Sequence, residues 1–352
     1  MVVSKSIGLN SKGAEGRTPT WITAYYGCIE VVRALIQAGA DLNQTTDRGY
    51  TPLFMACLKG HVEVVHALIQ AGADLNQATD RGYTPLYISC QEGHLEVAHA
   101  LIQAGAALNQ ARDDDGATPL HMACEKGHVE AVHALIQAGA ALNQAMNDGA
   151  TPLFIACAKG HLEVVHALIQ AGAALDQAMN DGFTPLFIAC SKGHLEVVHA
   201  LIQAGADLDQ AADDGATPLF LACQEGHLEV VHALIQAGAA LDQAMNDGIT
   251  PLSIACSKGH LEVVHALIQA GAALDQAADD GTTPLYRACQ EGHLEVVHAL
   301  IQAGADLYQA ADDGTTPLLI ACEEGHLEVV HALIQAGAAL DQAADDGTTP
   351  LY

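Results

Sequence analysis

Histidine and cysteine are the side chains here best able to do chemistry, with 19 of the first and 10 of the second. The segment from His161 to His166 reads His-Leu-Glu-Val-Val-His and approaches a zinc-protease motif. That motif sets its histidines at i and i+4 on one helical face, whereas these stand at i and i+5 and the first belongs to a turn. The chain is therefore not read as a metalloprotease. Nine of the cysteines, Cys57 through Cys322, share one position in a recurring pattern, and only Cys28 lies elsewhere. No Cys-x-x-Cys pair offers a zinc site. Stacked helical layers roughly 8 to 10 Å apart also exceed the roughly 7 Å that disulfide-linked Cα atoms tolerate. These thiols read as small buried hydrophobes that stay reduced. Acidic pairs such as Asp213-Asp214, Asp279-Asp280 and Asp345-Asp346, with the triple Asp113-Asp114-Asp115, recur in turns and lack the calcium-loop spacing. No metal or other cofactor is expected. Nor is there a Ser-His-Asp arrangement or a phosphate-cradling glycine loop, and the polar groups recur instead of converging, so no enzyme is expected.

The elements behind this periodicity are marked by Thr-Pro, which returns at Thr18, Thr51, Thr84, Thr118 and onward to Thr349 at intervals of 33 residues, with one of 34. A fixed period of this size is the mark of a solenoid. In the unit from Asp148 to Ala178, Thr151 can cap a helix and Pro152 can occupy its first turn. The first helix, Leu153 to Lys159, ends at Gly160, which can take the left-handed conformation. The second, about Leu162 to Ala171, sets Glu163, His166 and Gln170 on one face, and Leu162, Val165, Leu168 and Ile169 form the opposite stripe. Asn-Asp-Gly in the link to the next unit reads as a tight tip. Helices this short are marginal alone, so each unit gains stability only by stacking on its neighbours. About ten such units would extend on the order of 100 Å.

Asp-Gly-x-Thr-Pro-Leu, then Ala-Cys-x-x-Gly-His-Leu-Glu-Val-Val, then Ala-Gly-Ala closely resembles the ankyrin repeat, over Gly16 to Ala343. The resemblance implies an all-α solenoid of stacked antiparallel helix pairs with hairpin tips. It also implies that partners bind the tips and the adjacent concave face of the first helices. The chain departs from the family in carrying mainly aromatics where the family has His after Thr-Pro-Leu, and Cys where it usually has Ala. We divide the sequence into a leader of residues 1–15, expected to be flexible, an array over 16–342, and the start of an incomplete eleventh repeat over 343–352. Trp21, Tyr25, Tyr26 and Cys28 mark the first repeat as a degenerate end unit. The break four residues into the last unit leads us to expect that the native molecule continues past Tyr352.

Differences among the repeats fall at the residue before Thr, at the third residue after it, and at the two residues before the Gly that ends the first helix. By resemblance these face the groove. Eleven of the 14 aromatics occupy the first two of these positions. The candidate partner-binding residues are Tyr50, Phe54, Tyr83, Tyr87, Phe154, Phe183, Phe187, Phe220 and Tyr286, with the first four as the densest patch. Two readings stand: a stripe that meets a partner, or core packed beneath the tips. The resemblance also implies that Asn43, Asn76, Asn109 and Asn143 match a position hydroxylated in some arrays. Turn histidines such as His61 are assigned to structural hydrogen bonds and helix histidines such as His66 to a solvated face, with pH sensing as the alternative.

Thirteen Lys and Arg against 42 Asp and Glu leave a net charge of −29. That repels nucleic acid and anionic membranes and leaves a basic partner surface open. Residues 1–16 contain no signal-peptide run, Val2 excludes the myristoylation pattern, and no apolar stretch approaches the roughly 20 residues of a membrane span. We therefore expect a monomeric cytoplasmic protein, with the nucleus as an alternative address, that scaffolds a protein partner. A passive spacer, or a substrate of an asparaginyl hydroxylase, is the alternative.

Overall fold

The computed structural model describes residues 8–350. Their 20 α-helices run from Pro19–Tyr25 to Leu327–Ala336, with one 3₁₀ turn at Ala14–Gly16 and no strand. The chain divides into two compact units, Met1–Asn180 and Asp181–Tyr352. No helix among the described residues is long and apolar enough to cross a membrane.

Each repeat closes its helices with its own residues. Thr151 Oγ accepts the backbone N–H of Phe154 at 3.2 Å, Pro152 opens the helix Pro152–Lys159, and Gly160 ends it at φ 72°. Removing such a cap costs about 1 kcal/mol, a large share of what a helix of eight residues contributes. The second helix, Leu162–Gln170, exposes Glu163 and His166 as expected. Its buried face is broader than the expected stripe: Val165 and Leu168 are joined by Val164 and Ala167, while Leu162 and Ile169 are half-buried. The same pattern holds in Leu95–Gln103, which packs on Val62–Gln70 at one side and Val129–Gln137 at the other. Its flanks are therefore covered as well as its inner face.

Within the first unit, first helices pack on first helices and second on second, from Pro19–Tyr25 to Pro152–Lys159 and from Ile29–Gln37 to Leu162–Gln170. The second unit repeats the arrangement from Pro185–Ser191 to Pro317–Glu323 and from Leu195–Ala204 to Leu327–Ala336. Fully buried leucines such as Leu53, Leu68, Leu86 and Leu101 line the seams. Burying each contributes roughly 1.5 to 3 kcal/mol, more than any surface ion pair in the molecule.

Three polar ladders lock neighbouring repeats in register. At the turn, His94 Nε2 donates to the Leu58 carbonyl at 3.2 Å, and a Cβ on Gly60 would lie 2.8 Å from the His94 ring. At the tips, the backbone N–H of Asp80 donates to the Arg48 carbonyl at 3.3 Å, over Gly49, where a Cβ would lie 2.7 Å from the Asp80 nitrogen. Past the second helix, Asn43 Oδ1 accepts the N–H of Asp74 at 2.9 Å.

These ladders reach into the segment assigned to a flexible leader. Asn10 Oδ1 accepts the N–H of Asp41 at 2.9 Å, Lys12 Nζ donates to the Thr45 carbonyl at 2.9 Å, and the Glu15 carbonyl accepts from Asp47 at 3.2 Å. Asn10 stands 33 residues before Asn43 and does the same work. At the far end the tip after residue 343 is formed, with Asp345 N–H donating to the Asp313 carbonyl at 3.0 Å. Val2 and Tyr352, on which the myristoylation and continuation readings rest, lie outside the described residues.

Candidate partner-binding groove

The residue three after each Thr is the one whose backbone N–H the Thr caps, so its side chain starts at the base of the helix and points into the seam. Phe54, Tyr87, Phe154, Phe187, Phe220 and Tyr286 all occupy this position and all are buried. Tyr87 packs with Ala117 and Met122, and Phe187 with Ala212, Ala216 and Phe220. Burial pushes the Tyr286 phenol up to about 12 and the Tyr87 phenol higher. The residue before each Thr sits above this layer. Tyr50, Tyr83 and Phe183 are half-buried there, each ring against the buried one below, at centroid distances of 5.2, 5.2 and 4.4 Å.

Around two of these accessible rings the first unit opens into a hollow of about 710 Å³. Tyr50, Tyr83 and Leu58 rim it, and Trp21, Phe54 and Ile88 form its floor. That volume matches sites that hold a small molecule or a few peptide side chains. Trp21 is buried, and its indole N–H has no hydrogen-bond partner among the described residues. Arg17 stacks over the Trp21 ring at 5.1 Å while paired with Glu15, and Arg48 stands at the edge. The four residues expected to form the densest patch thus divide: Tyr50, Phe54 and Tyr83 line the hollow, and Tyr87 lies beneath Arg112, whose guanidinium is 5.8 Å from its ring centre.

Arg112 comes from the 34-residue repeat. It is paired with Asp115 and donates to the Tyr83 hydroxyl at 2.9 Å, so these two residues, on either side of the extra one, form a clamp over the tyrosines. The hydrogen bond to Asp115 leads in holding the guanidinium charged. Burial acts to raise the Asp115 carboxyl, and bonds from Arg112 and the Ala117 N–H outweigh it and hold it below the usual range. The sequence reading noted the neighbouring triple Asp113-Asp114-Asp115 only as a turn without calcium-loop spacing and gave Arg112 no role.

A second feature missed there concerns the tip position held by Arg48 and Arg81. Later repeats place Asp here, and its Oδ1 accepts the N–H two residues on, as Asp148 does from Ala150 at 2.9 Å and Asp214 from Ala216 at 3.0 Å. Where Arg stands, a nearby Thr supplies the acceptor instead. Thr46 Oγ takes the Tyr50 N–H at 3.1 Å and Thr79 Oγ takes that of Tyr83 at 3.2 Å. The exchange frees both positions for cations, and neither guanidinium makes an ion pair among the described residues. Positive charge is concentrated in this unit, since only Lys192, Lys258 and Arg287 of the chain's 13 Lys and Arg follow Asn180.

Other expected sites take structural places. Asn43, Asn76, Asn109 and Asn143 are exposed, and the Oδ1 of each accepts a backbone N–H of the next repeat at 2.7 to 2.9 Å. Asp209 and Asp242 do the same, which explains why Asn and Asp interchange there. Turn histidines bond the preceding repeat, with His61 Nε2 3.0 Å from the Tyr25 carbonyl and His260 Nε2 3.0 Å from that of Gln224, while the helix histidines are exposed. His121 differs: it is buried, and its Nδ1 accepts from Thr118 while Nε2 donates to the Ala150 carbonyl. Cys57 and Cys90 are buried free thiols, each pushed up to about 12 by burial. Among the described residues no group of three or more His, Cys, Asp or Glu is placed to hold a metal.

Comparison with known families agrees with this geometry. A model of ankyrin repeats in three copies matches in overlapping stretches from residue 2 to 311, and one for a single ankyrin repeat matches 313–345. A comparison with curated proteins gives no match. Ankyrin repeats are generally protein–protein interaction modules and typically non-enzymatic. The chain belongs to the ankyrin repeat family.

Proposed function

We propose that this protein is a non-catalytic scaffold that holds a protein partner along its groove, with the Tyr50–Tyr83 hollow as the main point of contact. The observation that carries this reading is the hollow itself. It joins accessible aromatic edges to an apolar floor and borders the tip that carries Arg48, whereas buried aromatics at the same helix position elsewhere serve the core. Aromatic and arginine side chains dominate interface hot spots. The acidic tips of Asp181–Tyr352 would favour a basic face on the same partner, and the protein would act as a monomer.

Capture of a partner by the wild type beside a Tyr50→Ala, Tyr83→Ala variant tests this. Both rings are half-buried, so the variant is checked for native helical circular dichroism first. Loss of the partner by the folded variant supports the hollow as the contact, and retention refutes it. Burial of Phe54, Tyr87, Phe154, Phe187, Phe220 and Tyr286 is the observation that favours a passive spacer, and a protein that captures nothing would give that reading the advantage. The exposure of Asn43, Asn76, Asn109 and Asn143 keeps the hydroxylation reading testable by intact mass, although each side-chain oxygen is already engaged.

A further inference from the structure

The paired exchange at the tips of two adjacent repeats points to the chemistry of the occupant. Thr46 with Arg48 and Thr79 with Arg81 replace the Asp that every later tip uses, and the tip hydrogen bond survives in both. The charge at each position is reversed without loss of the acceptor the fold needs. The same two repeats carry Tyr50 and Tyr83, the accessible rings of the hollow. Arg17 and Arg112 at the flanks are already paired, with Glu15 and Asp115, and stacked on Trp21 and on Tyr83 with Tyr87. Arg48 lines the hollow and Arg81 stands two residues before Tyr83; both are exposed and make no ion pair among the described residues. Asp47, which also lines the hollow, and Asp80 stand beside them, so each of these tips balances one cation against one anion, where tips such as Asp213-Asp214 and Asp279-Asp280 are doubly acidic.

Resting on the proposed partner-binding function, we infer that the hollow of the first unit takes an acidic peptide segment: a bulky apolar side chain enters between Tyr50 and Tyr83, and flanking carboxylates pair with Arg48 and Arg81. Charge complementarity sets this site apart from the rest of the chain. After Asn180 the tip position is Asp throughout, at Asp181, Asp214, Asp247, Asp280, Asp313 and Asp346, so an acidic segment is repelled there and directed to the first unit. The apolar floor supplies the affinity, and the two arginines supply the sign.

Trp21 is the only tryptophan and lies in the floor, so its emission reports occupancy directly. The full chain is titrated with the acetylated amide Glu-Glu-Phe-Leu-Glu-Glu, with a counterpart carrying Lys for every Glu, and with one carrying Ala for Phe and Leu. The acidic peptide is expected to change Trp21 emission saturably, and the other two to leave it unchanged. Arg48→Asp with Arg81→Asp recreates a tip residue the later repeats already use and is expected to weaken binding at least about tenfold, two exposed pairs being turned into repulsions. Arg48→Gln with Arg81→Gln removes charge alone and is expected to fall between. Equal binding of the Lys peptide, unchanged affinity in both double variants, or no response to the acidic peptide overturns the inference. A cellular partner lost on Tyr50→Ala, Tyr83→Ala but kept by both arginine variants overturns it while leaving the scaffold function standing.

Discussion

Thr46→Ala isolates the exchange that frees Arg48. Thr46 is buried, and its hydroxyl is the acceptor for the Tyr50 N–H at 3.1 Å. Removing it forfeits a hydrogen bond worth about 1 kcal/mol net, and up to about 3 kcal/mol if the partly buried N–H finds no water. With Arg48→Asp in the same chain, the new carboxylate can accept that N–H as Asp181 accepts from Phe183 at 3.3 Å. The loss should then shrink to a few tenths, giving a coupling of about 1 kcal/mol between two neighbouring positions. Arg48→Asp alone should be close to neutral, because Thr46 still serves. Urea titrations of the four chains, followed by Trp21 fluorescence, read the cycle one repeat away from the change. Repeat arrays unfold by local and neighbour terms, so a local reporter is needed. Additive effects, with Thr46→Ala costing the same in the Arg48→Asp chain as in the wild type, would refute the acceptor exchange and with it the reason given for the arginines.

His121 should make this protein acid-sensitive in one repeat. Burial leads in holding its imidazole below the ordinary value, against opposing contributions from the Ala150 carbonyl and the Asp115 and Asp148 charges. A histidine whose folded pKa is depressed contributes full stability above its unfolded value of about 6.5 and loses it as pH falls through the folded value. Protonating Nδ1 also forfeits the bonds it accepts from the Thr118 N–H and hydroxyl. Wild type should therefore lose more stability between about pH 7.5 and 5 than His121→Phe, a residue the neighbouring repeats accept, and equal pH slopes would argue against a neutral buried ring. Thiol titration with a disulfide reagent in native buffer should modify exposed Cys28 quickly, Cys322 slowly and the other eight only after denaturant, and rapid native modification of more than two would contradict the buried ladder.

Much of the fold was legible because every repeat carries its own punctuation. Thr151, Pro152 and Gly160 bounded the first helix to within a residue, and the second ended one residue short of the expected Ala171. The arrangement of the site was less legible. Tyr50 and Phe54 are both aromatic and four apart, and only the depth of the seam between repeats decides that one is accessible and the other buried. Likewise the part played by Asn10 depends on a partner 31 residues away, which a local reading of a short polar segment as flexible does not see. The Thr46–Arg48 pairing was present as text in two repeats, but its meaning lies in which oxygen reaches the Tyr50 N–H. The clamp by Arg112 needed three side chains from two repeats to be placed together.

Hydrogen exchange of the protein with and without its captured partner shows whether the partner sits in the Tyr50–Tyr83 hollow. Added protection is expected at residues 46–58 and 79–91, where the tips and first helices border the hollow, with the exposed faces of Val62–Gln70 and Leu95–Gln103 unchanged. Protection confined to those second helices, or to the repeats after Asn180, would contradict that placement.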